Sequence, residues 1–263
     1  MAGLVSCAAG CSGDGAAEQG SGTVGGSAET VRAAAAVLVE QGTSKARTAM
    51  EMASGGTRVT IRGEGVYDYR ARTGRLKVLL PPDPGGTEEH RPITELLAPG
   101  ALYMKHRGAG VPDDKWVRVD TASLTDGNLV TGGATDPLTA AQILRGAGQV
   151  TYVGSVDLAG VRVRHFRGVA DLGSAARAVG EGSGGASLAA AAKGFSRTRV
   201  PFDVYLDGDG RIRKLRHRFS YDNGEGARPV EVTSVVLLYD FGAGAEVALP
   251  EAAEIYTGRV QGP

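Results

Sequence analysis

The stretch Val200-Pro201-Phe202-Asp203-Val204-Tyr205-Leu206-Asp207-Gly208-Asp209-Gly210, continued by Arg211 through Tyr221, decides the fold. Phe202, Val204 and Leu206 alternate with Asp203, Tyr205 and Asp207, the period of two expected of a strand with one buried face. Asp207 to Gly210 offers residues that tolerate positive φ, which predicts a tight hairpin. On the return, Leu215, His217, Phe219 and Tyr221 alternate with Lys214, Arg216 and Arg218. Ile212 is out of phase with Leu215, so a bulge is expected between them. The product is an antiparallel ribbon with one apolar and one basic face.

Outward from the ribbon the design repeats. Val230 to Phe241 reads as a long strand, with Val230, Val232, Val236 and Leu238 on one face, and Val247 to Ile255 closes the chain. Upstream, Val150–Asp157 and Val161–Ala170 form a hairpin about Ala159-Gly160. Asp171 to Lys193 is rich in Ala and Gly, with a short helix at Ser187–Lys193. A helix starts at Thr135-Asp136-Pro137-Leu138, with Pro just inside the first turn and a stripe of Leu138, Ala141, Ile143 and Leu144. Short strands fill residues 47 to 119, around a polar loop at Pro81–Arg91; Gly63 and Gly65 mark a bulge or bend. Ser27 to Glu40 is a helix capped by Ser27 or Thr30, with Val31, Ala34, Ala35 and Leu38 as its stripe.

These 263 residues suffice for a sizeable core. The fold class is α+β: ten or eleven short antiparallel strands in one large sheet, half-wrapped around two or three helices on its concave face. Gly is abundant at 41 residues, and aromatics are few at 5%, which suits strands joined by many turns. The formal net charge is zero, which argues against a nucleic-acid partner.

The N-terminus reads Met-Ala-Gly-Leu-Val-Ser-Cys-Ala-Ala-Gly-Cys, then turns polar. Small apolar residues running into cysteine resemble the end of a lipoprotein signal peptide, in which the thiol becomes an acylated anchor. Either Cys7 or Cys11 fits; Cys11 leads more directly into the Gly/Ser spacer. No Lys or Arg precedes it, so residues 1–11 are at most a remnant of such a peptide. Residues 12–27 are read as a flexible tether reaching roughly 20–24 Å, and 28–258 as the folded domain.

The order of elements, with the Val200–Asp207 motif and the ending Leu238-Tyr239-Asp240-Phe241-Gly242, resembles the actinobacterial LppX/LprG-type lipoproteins, and more distantly LolA and LolB. The resemblance covers Ser27 to Ile255. It implies an open half-barrel whose helices cover a hydrophobic cavity, and carriage of a lipid, glycolipid or lipidated molecule. It also implies export to the cell envelope, with a palmitate-type acyl anchor on the outer face of the cytoplasmic membrane. The candidate cavity lining is Val31, Leu38, Val59, Ile61, Leu76, Val78, Leu138, Ile143, Phe202, Val204 and Leu206. Those residues equally suit a dry core.

No pattern marks catalysis. Position twelve counted from Asp207 is Arg218, which is wrong for a calcium loop, so the hairpin reading is preferred. His90, His106, His165 and His217 lack metal-ligand spacing. No Gly-x-Ser-x-Gly elbow occurs, and Gly182 to Gly185 lacks a phosphate-loop lysine. Neither enzyme activity, cofactor nor metal is expected, and the chain is expected to be a monomer. Arg211, Arg213, Arg216 and Arg218 read either as a solvated strand face or as contacts to anionic headgroups. Two functions follow: a membrane-anchored lipid carrier, or a tethered interaction or sensor domain with a packed core.

Overall fold

The computed structural model describes residues 24–54, 57–81, 91–130, 136–221 and 229–258. Helix α1 (Val24–Gln41) leads into β1 (Thr43–Ser54), β2 (Thr57–Asp68) and β3 (Thr73–Leu79). Three short strands follow, β4 (Ile93–Ala98), β5 (Ala101–Lys105) and β6 (Trp116–Asp120). Then come α2 (Pro137–Ile143), the hairpin β7 (Ala147–Leu158) and β8 (Val161–Asp171), and helices α3 (Leu172–Val179) and α4 (Ser183–Gly194). The chain finishes its regular structure with β9 (Arg199–Leu206), β10 (Ile212–Tyr221) and β11 (Val230–Tyr239).

All eleven strands join one sheet in the order β6-β5-β4-β3-β2-β1-β11-β10-β9-β8-β7. Each neighbouring pair is antiparallel and the sheet does not close; β6 and β7 are its edges, with β6 bridged at Trp116 by Ile255 and Tyr256 of the C-terminal segment. The hairpin forms where the alternation puts it: Asp207 N–H donates to the Arg211 carbonyl, and Gly210 adopts φ +79°. The register slips between Ile212 and Lys214, which is the expected bulge. Asp207 holds the turn, accepting from the backbone of Asp209 and Arg211 and from Arg211 Nε at 2.8 Å.

Four α-helices form among the described residues, more than the two or three expected. α1 starts at Val24, a turn ahead of Ser27, which is buried inside it rather than capping it. α4 spans twelve residues from Ser183, not only Ser187–Lys193. α3 was not anticipated, although Asp171 caps it through the Ser174 N–H and Leu172, Ala175, Ala176 and Val179 give its stripe. β2 runs through Gly63 and Gly65 without a register break, so no bulge lies there. The reason is close approach: a Cβ on Gly65 would sit 1.8 Å from the Arg75 carbonyl oxygen of β3.

The helices cover one face of the sheet, here the inner face. α1 runs along β7, α3 along β8, and α1 and α2 reach β10. Inner residues line up in cross-strand rows. One row runs Leu215, Val236, Thr48, Gly63, Val78 and Ile93. Another runs Leu238, Ala46, Gly65, Leu76, Glu95 and Met104. These rows and the helix stripes form one hydrophobic cluster. The Tyr67 ring lies over Gly74 and the Phe202 ring over Gly168, where any side chain would collide with them.

Candidate functional site

The inner face divides into two parts. Under the helices it is tightly filled. Val31 and Leu38 of α1, Leu138 and Ile143 of α2, and Phe202, Val204 and Leu206 of β9 are at most 4% exposed. Leu76 and Val78 on β3 are fully buried, Ile61 on β2 is nearly so, and Val59 is half-buried. Every expected lining residue thus lies on the inner side, in or against the same cluster.

One end of β1–β5 is closed by the helices. There Asp136 caps α2 by accepting from the Leu138 and Thr139 N–H groups, and the Tyr67 hydroxyl donates to it at 3.3 Å. Burial raises the Asp136 carboxyl, and those bonds draw it back down only in part. Tyr67 is pushed well up by burial and by the Asp136 charge. A cavity of about 40 Å³ between these groups, Asn128 and Ser187 is of the size that holds a water.

At the opposite end the half-buried Met52, Val59, Leu80 and Val111 pack against the core. Met52 and Val59 are cross-strand partners at the ends of β1 and β2. Leu80 and Val111 floor a pocket of about 210 Å³ whose rim includes Arg91, His106 and Arg107. Behind this mouth lie Met50 and Met104, so every methionine except Met1 sits on the inner face of β1 or β5. Sequence reasoning missed these methionines. The alternation of Met50 and Met52 within Arg47–Ala53 was the signal that could have found them.

Glu95 and His217 are further ionisable groups buried on this face. Glu95 on β4 is fully buried between Leu76 and Met104, and neither carboxyl oxygen has a hydrogen-bond partner. Burial pushes its pKa from 4.5 up to about 8, against the pull of Arg107. His217 on β10 is also buried, its Nε2 is unpartnered, and burial lowers it from 6.5 to about 3. Both are therefore uncharged near neutral pH. Glu95 was legible as an acid at an inward position of Ile93–Leu97, and it was missed.

The expected headgroup arginines lie near the outer face and at the hairpin. Arg211 pairs with Asp207 and Asp209, each at 2.8 Å, and stacks over Phe241 with Arg213. Arg216 and Arg218 lean on Asp203 of β9 at 3.2 and 3.7 Å. Asp203 also accepts from Arg167 Nε and meets His165 Nε2, both at 2.9 Å. Burial alone would raise Asp203, but these bonds and charges hold it below the usual carboxylate range. Cys7 and Cys11, and with them the anchor and residues 12–23 of the expected tether, lie outside the described residues, as do residues 82–90, whereas residues 24–27 of that tether form the first turn of α1. Among the described residues, no group of three His, Cys, Asp or Glu is placed to hold a metal. No described helix is long and apolar enough to cross a membrane.

The chain is similar to the lipoprotein LppX of Mycobacterium tuberculosis, at 8% identity over 86% of this chain and 100% of that one, with a TM-score of 0.48. It is also similar to LprF of Mycobacterium bovis, at 12% identity over 86% and 96% of the two chains and a TM-score of 0.41. A LolA superfamily protein from Nitrosomonas europaea aligns at 12% identity over 88% and 97%, with a TM-score of 0.35. No family model matches the chain, and no curated protein matches it.

Proposed function

We propose that this protein is an exported envelope lipoprotein, anchored through Cys11 or Cys7, that binds an acylated lipid or glycolipid on the inner face and carries it without chemistry. The observation that supports this reading is the apolar mouth. At the end of the sheet away from α2, Met52, Val59, Leu80 and Val111 are only half-buried and lead to Met50, Ile61, Val78 and Met104. Methionine is unbranched and polarizable, so it repacks around a chain of variable shape. Each CH₂ moved from water onto such a surface contributes about 0.8 kcal/mol. The rim carries Arg107 and Arg91, the latter paired with Asp113 at 2.6 Å, which suits an acidic headgroup, and the Glu95 carboxyl behind them is left for a polar group of the cargo.

The experiment is mass spectrometry of the organic extract of the protein purified from its native envelope. A stoichiometric acylated lipid, absent from an unrelated control protein, is the expected result. Uptake of a fluorescent acyl probe should fall on filling the mouth with Val59→Trp or Met52→Trp. Extract free of lipid, together with no probe uptake, would reject the carrier. A second reading, a tethered interaction module, is favoured by the packing under the helices, where Leu38, Val204 and Leu206 are fully buried.

A further inference from the structure

The outer face of the sheet carries a feature of its own, whatever occupies the inner one. Across β10, β11, β1, β2, β3 and β5 the register puts Lys214, Leu237, Arg47, Glu64, Lys77 and Lys105 in one pleat row. The adjoining row runs Val235, Ala49, Arg62 and Leu79. Ala49, Leu79, Val235 and Leu237 floor a groove of about 380 Å³, walled by Arg47, Arg62 and Lys77. Leu79 is 49% exposed at its end.

Charge on this face is one-sided. In the stretch around the groove Lys214, Arg47, Arg62, Lys77 and Lys105 face one carboxylate, Glu64, while Glu51 and Asp203 elsewhere on the face are already paired with Arg58 and with Arg167, Arg216 and Arg218. Among the described residues Glu64 forms its ion pair with Arg47, at 3.6 Å and with both side chains about 60% exposed, so it neutralises little. Arg62 and Lys77 have no acidic partner among the described residues. Lys and Arg stems cover apolar surface while their heads stay in water. An apolar floor with cations at its margins matches acyl carbon beneath a layer of negative headgroups. Three of the cations stand along the margins of the open groove, and Lys214 on β10 and Lys105 on β5 extend the row beyond it, which suits a surface of repeating charge better than one acidic peptide.

We infer that the outer face, centred on the Ala49–Leu79–Val235–Leu237 groove, docks on an anionic lipid surface. The test uses the full chain, without acylation, and sedimentation with vesicles of phosphatidylcholine alone or mixed equally with phosphatidylglycerol. Binding is expected only to the mixed vesicles and is weakened by salt. Arg62→Gln with Lys77→Gln should lower partitioning about 25-fold, roughly fivefold for each charge. Leu79→Asn should lower it further at every salt concentration. Arg177→Gln with Lys193→Gln, on the helices, should leave it unchanged. Equal binding to both vesicle types, or full binding by the Arg62/Lys77 variant, overturns the inference. So does concentration-dependent dimerisation abolished by Leu79→Asn without vesicle binding, which would give the face to a second copy.

Discussion

Glu95 and Asp203 are both carboxylates on strands of one sheet, buried to a similar degree, and they behave oppositely. Glu95 points inward among Leu76, Met104 and their neighbours, accepts no hydrogen bond among the described residues, and has its pKa pushed up to about 8 by burial despite the pull of Arg107. Asp203 points outward and gathers Arg167, His165, Arg216 and Arg218, which hold it ionised. Burial acts on both; what differs is the company that the register supplies. The inner face is built to stay neutral, and the outer face is built around charge.

The sharpest way to break this contrast is pH. Glu95 binds its proton more tightly folded than unfolded between 4.5 and about 8, so its contribution is full below 4.5 and is lost as pH rises toward 8. The loss is on the order of several kcal/mol. Denaturant titrations of Glu95→Gln should show this decline abolished and a gain over the parent at alkaline pH. An identical slope in both proteins would mean that Glu95 has partners in solution. His217 acts with the opposite sign. Its folded value near 3 lies below 6.5, so stability is full above 6.5 and falls as pH drops toward 3. His217→Leu should flatten the acid limb; the two slopes overlap and oppose each other between 4.5 and 6.5, so stability of the parent should be level and highest there.

On the outer face, Asp203→Ala removes the acceptor for four converging groups. Arg167 is 62% exposed and water can replace the carboxylate there, so the expected loss is about 1–3 kcal/mol by chemical denaturation. Because Asp203 is held low, its contribution persists above 3.8 and disappears as pH falls through its lowered value. Asp203→Ala should therefore weaken the protein at neutral pH and much less in acid. The smallest effect belongs to Glu51→Gln. It breaks the 2.9 Å pair with Arg58, whose side chains are 41% and 69% exposed, and should cost less than about 1 kcal/mol.

Much of the architecture was legible from residues 200 to 221. The alternation, the Gly-rich turn and the phase slip at Ile212 all correspond to observed features. The α2 start at Asp136-Pro137 was equally plain, because capping and Pro at the first turn act within four residues. Other local signals were present but weaker. Leu172 to Val179 carries a cap and a stripe, yet its Ala and Gly content resembled a loop. Gly63 and Gly65 looked like a break because a glycine's need for space cannot be distinguished in one strand from its need for freedom.

By itself, then, the sequence determined which residues alternate, where the chain turns, and that Glu95 and His217 share a parity with apolar neighbours. Period-two patterning is a property of adjacent residues, so one chain segment suffices to display it. Only the tertiary structure decided what each face meets. β1 pairs with β11, which brings Arg47 and Leu237 together across the length of the chain. β9 lies between β8 and β10, which delivers Arg167 and Arg216 to Asp203. β4 lies between β3 and β5, which gives Glu95 only Leu76 and Met104. Register between distant strands depends on which pairing buries the most apolar surface over the whole sheet, and no single stretch records that sum.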